Sequence, residues 1–153
     1  MFGRAVETPI GTLGLVGSDA GLSRVLWSRD GLESLGTCGV LEDAAHQLDA
    51  YFAGDLAAFD LPLDLEGTEF QRRCWRALAT IPYGQTVSYG EQAQRLRLSP
   101  ATARAVGAAN GRNPLPVVLP CHRLLGADGS LTGFGGGLHR KRFLLEHEGA
   151  LLS

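Results

Sequence analysis

Residues 113–123, Asn113-Pro114-Leu115-Pro116-Val117-Val118-Leu119-Pro120-Cys121-His122-Arg123, form a proline-bracketed apolar run that ends in adjacent thiol and imidazole side chains. Core packing alone asks for no such arrangement. Val117 to Leu119 are expected to form a buried strand, which would hold the residue after it rigidly, as a reacting atom must be held. A thiolate is a soft nucleophile suited to an alkyl carbon, and an imidazole backed by a carboxylate can take the thiol proton. His122 and Glu148 are the candidates beside Cys121. By itself the pair is a weak signal, because a free Cys is more often a small buried hydrophobe and consecutive side chains often point apart.

Other chemistries find less support. Gly133-Phe134-Gly135-Gly136-Gly137 has no Gly-Lys-Ser/Thr after it, so it is not read as a phosphate cradle. The three cysteines, Cys38, Cys74 and Cys121, are odd in number and share no C-x-x-C spacing, which speaks against a disulfide framework or a zinc knuckle. No metal and no cofactor are expected. No apolar run reaches the length of a bilayer span, and Arg4 and Glu7 interrupt the start of the chain, so a cytoplasmic protein with reduced thiols is expected.

The elements that must carry these residues divide near Leu65, giving expected domains at 1–65 and 66–153. The first part holds three arginines and ten carboxylates, a net charge of -7; the second holds eleven cations and six carboxylates, a net of +5. The second could therefore face phosphate. Ten of its eleven cations are arginines, suited to planar contacts and insertion; the exception is Lys141. Turn signals at 8–11 and 18–21 predict a small antiparallel meander with Leu13, Leu15, Leu22, Val25 and Trp27 in its core. A helix over 41–53 would cover it with Leu41, Ala44, Ala45, Leu48 and Phe52, capped by Gly54, and residues 59–65 read as extended.

Thr68 and Gln71 are spaced as a capping box that opens a helix with Phe70, Cys74, Trp75 and Leu78 on one face. Ser88 is expected to cap a helix carrying Tyr89, Ala93 and Leu96. Ser99 and Pro100 are expected to start another that runs to about Ala109. Two short helices across a tight turn suggest a helix-turn-helix. Its second helix is rich in Ala and Gly and presents one long cation, Arg104.

Pro120-Cys121-His122-Arg123, with Asn113-Pro114 ahead of it, resembles the active-site signature of the O6-alkylguanine-DNA alkyltransferases. Gly67-Thr68-Glu69-Phe70-Gln71-Arg72-Arg73 with Trp75, Ile81-Pro82-Tyr83-Gly84, Ser88-Tyr89, Arg104-Ala105-Val106-Gly107 and 144–149 agree with that family in order and spacing. The resemblance implies an α+β fold. A small antiparallel sheet with a covering helix, a ribonuclease-like α/β roll, would precede a mainly helical, winged-helix-like domain with a helix-turn-helix. It implies a DNA repair protein that moves an alkyl group from O6 of guanine to Cys121, irreversibly and once per molecule. Whether O4-alkylthymine is also a substrate is left open.

Residue by residue, the resemblance makes Cys121 the acceptor, His122 and Glu148 a relay acting through water, and Asn113 a brace. Tyr89 would serve the departing guanine. Arg104 would fill the gap left by an extruded nucleotide, with Ser99, Ala103, Ala105, Gly107, Ala108 and Arg123 as further DNA contacts. Tyr89, Leu131, Phe134, Gly135 and Gly136 would wall the base pocket, Phe134 standing where the family often has Tyr. The partner would be double-stranded DNA, held in the minor groove with low sequence specificity by a monomer. Relatives that bind zinc use four ligands, and here only Cys38 and His46 are in reach.

Three other readings compete with this one. A non-reacting lesion binder of the same fold would lack Cys121. A promoter-reading regulator would have no use for the Cys-His pair. A thiol hydrolase would turn over, because water attacks a thioester but not a thioether.

Overall fold

The computed structural model describes residues 1–131 and 133–150. The chain divides into two compact units, Met1–Glu66 and Gly67–Ser153. In the first, β1 (Phe2–Thr8), β2 (Gly11–Ser18) and β3 (Gly21–Leu26) form one antiparallel sheet in the order β1-β2-β3. Val6 opposes Leu13 and Leu15 opposes Val25. Gly14 has no room for a side chain: a Cβ there would lie 2.3 Å from the Ser28 carbonyl.

Helix α1 (Gly39–Phe52) packs on this sheet through Leu41, Ala44, Ala45, Leu48 and Tyr51. Tyr51 is fully enclosed, whereas the expected Phe52 is only half-buried, its ring edge-on to Tyr51 at 5.0 Å. Residue 51 continues the i, i+3 row from Leu48, so the stripe turns toward it. Trp27, expected in the core, is also half-buried. Gly54, at φ +83°, follows the α1 cap as read. The extended 59–65 segment pairs with the sheet, Leu22 N–H donating to the Pro62 carbonyl at 2.9 Å and Asp64 N–H to that of Leu22 at 2.9 Å.

The second unit contains α2 (Glu69–Leu78), β4 (Val87–Ser88), α3 (Tyr89–Arg95), α4 (Ala103–Gly111), β5 (Leu124–Leu125) and α5 (Leu138–His147). Both capping boxes form, Thr68 with Gln71 and Ser88 with Glu91. Ala93, Leu96, Val106, Ala109 and Cys74 close one core between α2, α3 and α4, which identifies Cys74 as a packing residue. Gln92 is buried there too, accepting from Asn110 Nδ2 at 2.6 Å and donating to the Cys74 carbonyl at 3.1 Å.

The helix-turn-helix turns through Arg97, at φ +60°. Arg97 N–H reaches the Gln94 carbonyl and Leu98 N–H that of Ala93, the paired bonds of a Schellman ending. The second helix starts later than read. Residues 100–102 form a 3-10 turn and α4 begins at Ala103, with Thr102 rather than Ser99 preceding it and no side-chain cap. The Ser99 carbonyl is taken by Thr102 N–H and Oγ1 at 2.9 and 2.6 Å, so the chain tightens there before the α-helix begins.

Candidate functional site

The expected strand over Val117 to Leu119 does not form. Pro114, Pro116 and Pro120 cannot donate to a ladder, and the run coils into turns with Val117 at φ +73°. That backbone is rare for a β-branched residue, and Val117 holds it with its side chain 1% exposed. Leu119 N–H bonds the Leu115 carbonyl at 2.8 Å, and Cys121 N–H that of Leu119 at 2.8 Å. Pro120, at φ -78° and ψ 67°, thus centres an inverse γ-turn that the pyrrolidine ring favours. It delivers the chain into a single 3-10 turn, Cys121–Arg123. Rigidity at Cys121 therefore comes from proline-set turns, not from a sheet.

Asn113 binds this loop together. Its Oδ1 accepts from Leu115 N–H at 2.9 Å, and its Nδ2 donates to the Leu119 carbonyl at 2.8 Å, which seats its amide on the turn that carries Cys121. Burial pushes the Cys121 thiol up; the Asn113 bond and the charge of Lys141 pull it down. His122, fully enclosed, is pushed down by burial and up by Glu148. These directions make the resting pair a thiol and a neutral imidazole.

His122 Nε2 lies 2.8 Å from Glu148 Oε2. A carboxylate accepts only, so Nε2 carries the imidazole proton and Nδ1 carries the basic lone pair. Nδ1 is enclosed and has no hydrogen-bond partner among the described residues.

Glu148 is placed by the end of α5. It is the cap residue; Gly149, at φ +75°, donates to the Glu146 carbonyl, and Ala150 to that of Leu145. On its other side Gly84, at φ +80°, approaches so closely that a Cβ would lie 3.2 Å from the Glu148 carbonyl.

Arg123, read as a DNA contact, is corrected. Its side chain is 7% exposed, and its guanidinium grips Glu148 through Nε–Oε1 at 2.8 Å and Nη2–Oε2 at 3.0 Å. Nη1 donates to the Ile81 carbonyl at 2.5 Å, and the group lies 5.8 Å above the Tyr83 ring. A planar fork matches a carboxylate with two parallel bonds, so this nearly enclosed arginine turns three of its five N–H groups into the protein rather than presenting its fork to phosphate. Tyr83 itself donates to the His147 carbonyl at 3.5 Å.

Cys121 lies on a pocket of about 460 Å³ lined also by Tyr89, Gly107, Asn110, Gly111, Gly133, Phe134 and Gly135. That volume accommodates a small ligand or a single base. Gly107 allows the Tyr89 ring to approach: a Cβ would lie 3.6 Å from it. Leu131 and Gly136 are not among the described lining residues; Gly136 is buried, and its carbonyl accepts from Arg140 at 3.2 Å.

Helix α4 separates this pocket from an open groove of about 280 Å³ lined by Thr68, Phe70, Gln71, Ala105, Ala108, Ala109 and Arg112. Ser99, Arg104, Ala105 and Ala108 are exposed, and Ala103 and Gly107 half-buried. Two polar residues of the site escaped the sequence reading. Asn110 falls on an apolar helical face, and Lys141 falls in a run of cations that suggests a solvated surface. Neither spacing nor composition marks them out.

Two family models match the chain: residues 1–65 match the ribonuclease-like domain of 6-O-methylguanine DNA methyltransferase, and residues 69–150 its DNA binding domain. A methylated-DNA--protein-cysteine methyltransferase of Mycobacterium tuberculosis is 50% identical over 157 residues, covering 95% of this chain and 90% of the relative. One from Methanosarcina acetivorans is 44% identical, covering 98% and 99%. The crystal structure of Mycobacterium tuberculosis OGT in complex with DNA superposes with a TM-score of 0.88 at 48% identity, covering 98% of this chain and 94% of that one. An O6-methylguanine DNA methyltransferase from Methanococcus jannaschii gives 0.67 at 30% identity, covering 98% and 95%. With Cys121, the buried His122–Glu148 pair and a base-sized pocket in one unit, and both family models matched in order, the chain belongs to the 6-O-methylguanine DNA methyltransferase family.

Proposed function

We propose that this protein repairs DNA by transferring the alkyl group of O6-alkylguanine to Cys121 Sγ, one group per molecule. The single observation that carries the reading is the placement of Cys121 on a base-sized pocket with the His122–Glu148 pair directly behind it. The S–C bond forms as the C–O6 bond breaks. The thiol proton passes through a water to His122 Nδ1, the lone pair that Glu148 leaves available. Arg123 keeps Glu148 ionised and oriented, so the imidazolium formed in the step has an anion beside it. Asn113 donates to the sulfur and favours its charged form. Tyr89, on the pocket wall, donates to the departing purine and neutralises its charge.

A base inside a duplex cannot reach this pocket without leaving the stack. The pocket and the groove flank one helix, so DNA on the groove side brings an extruded nucleotide past α4. Arg104, exposed near the start of α4, fills the space left behind, and Ser99, Ala103, Ala105, Gly107 and Ala108 let the minor groove approach closely. Low sequence specificity follows from contacts with backbone and shape. Every residue of the relay comes from one chain, which supports a monomer, and a free nucleophilic thiol acting on DNA suits the reducing cytoplasm.

The test is intact mass and peptide mapping after incubation with O6-methylguanine duplex DNA. Gain of one methyl, confined to Cys121, in a stoichiometric burst without turnover is the expected result. Repeated turnover, or a methyl on Cys38 or Cys74, would overturn the reading.

A further inference from the structure

Lys141 is the single lysine of a chain with 14 Lys and Arg residues, and it is not on the surface. Its side chain is fully enclosed in α5, which packs on the Cys121–Arg123 turn. Nζ donates at 2.5 Å to the carbonyl of Leu124, the residue where that turn ends. A chain that otherwise uses arginine has its one compact ammonium buried on the carbonyl that closes the Cys121–Arg123 turn. Lysine is a point charge on a flexible stem, whereas a guanidinium needs a planar, multiply bonded seat.

We propose that Lys141 supplies the positive charge against which the Cys121 thiolate forms, which makes it a positioning residue of the transfer, acting through the charge on the sulfur. The charged and titratable groups around it support this assignment. Glu148 gives both oxygens to Arg123 and one also to His122, so its charge is already balanced. His122 is held neutral by burial. Ionised Cys121 then brings a negative charge to a place where Lys141 already holds a positive one. The attraction runs both ways: Lys141 pulls the thiol down, and Cys121 opposes the burial that lowers the lysine to about 8. In the reaction the sulfur's proton passes to His122, the purine leaves with a proton donated by Tyr89 that the relay replaces, and the sulfur becomes a neutral thioether.

The inference rests on the repair reading for its substrate, but its test does not need DNA. Lys141→Gln keeps a donor for Leu124 and removes the charge. Carbamidomethylation of Cys121 by iodoacetamide, followed by peptide mapping from about pH 6 to 10, should show the midpoint raised by about one unit or more. The rate should fall about tenfold at neutral pH and converge with wild type at high pH. Lys141→Arg should move the midpoint part of the way back. A rate lowered equally at every pH, with an unmoved midpoint, would overturn the proposal in favour of simple packing.

If Lys141→Gln does not fold, the wild-type fold carries the test. Because there is one lysine, 15N-lysine labelling reports Lys141 Nζ alone. Its titration midpoint should fall by about one unit or more in Cys121→Ala, where the anion is gone; equal midpoints would overturn the assignment. A shifted iodoacetamide profile without methyl transfer from DNA would uphold the Lys141 pairing and refute the repair reading.

Discussion

Replacing Arg123 with Met separates two roles that one residue cannot fill together. Its side chain is 7% exposed, and three of its N–H groups close on Glu148 at 2.8 and 3.0 Å and on the Ile81 carbonyl at 2.5 Å. Methionine fills much of the volume but leaves Glu148, whose side chain is 0% exposed, as a buried carboxylate without its guanidinium. Removing one partner of such a pair costs about 3–5 kcal/mol, against a total stability of about 5–15 kcal/mol for a domain. At about 4 °C per kcal/mol, the lower bound predicts a melting temperature at least about 12 °C lower. Arg123→Met/Glu148→Gln should regain a large part of that loss, because the uncompensated charge is gone as well.

The assay pairs thermal unfolding with the salt dependence of DNA binding, measured in a Cys121→Ala background so that no transfer occurs. Structural clamping predicts a large loss of stability and an unchanged salt slope for the molecules that remain folded. A phosphate contact predicts the reverse, a slope shallower by about one and a stability change within about 0.5 kcal/mol. That second pattern would refute the clamp.

Asn113→Ala should slow methyl transfer at least about tenfold and raise the Cys121 midpoint in thiol alkylation, because the downward pull of Asn113 on the thiol is lost; the lost loop bonds should also lower the stability read from urea unfolding by about 1–3 kcal/mol. Arg97→Gly should stabilise the protein by about 1 kcal/mol, since a left-handed residue with a Cβ is replaced by one without that cost; chemical denaturation reads the gain. Burial holds Lys141 at about 8 against an ordinary 10.5, so the unfolded chain binds more protons between those values. This group's contribution to stability is therefore flat below about pH 8 and rises with pH from there to about 10.5, by an amount on the order of 3 kcal/mol. The difference in urea stability between wild type and Lys141→Met should follow that window. Arg104→Ala should slow transfer from duplex DNA far more than from the free base; equal losses on both would remove its role in the gap.

Much of this molecule is written locally. The capping boxes at Thr68 and Ser88, the glycine after α1 and the meander of β1 to β3 depend on contacts within a few residues, where residue type and spacing suffice. Cys121, His122 and Glu148 were legible because an uncommon motif names them. Periodicity misread the 117–119 run, since an apolar stretch looks like a strand whether or not its prolines allow a ladder.

What the chain order could not decide is which charges face water. Arg123 and Lys141 look, as sequence, like members of a basic DNA-facing surface; the fold buries both, one to clamp Glu148 and one on the Leu124 carbonyl at the end of the Cys121 turn. Burial depends on partners 25 and 17 residues away, Glu148 for the arginine and Leu124 for the lysine, and no local pattern encodes those distances. The sequence by itself singled out Cys121 and the helices around it. Only the tertiary structure determined the electrostatic setting of that atom, because desolvation and pairing exist only once the elements have packed.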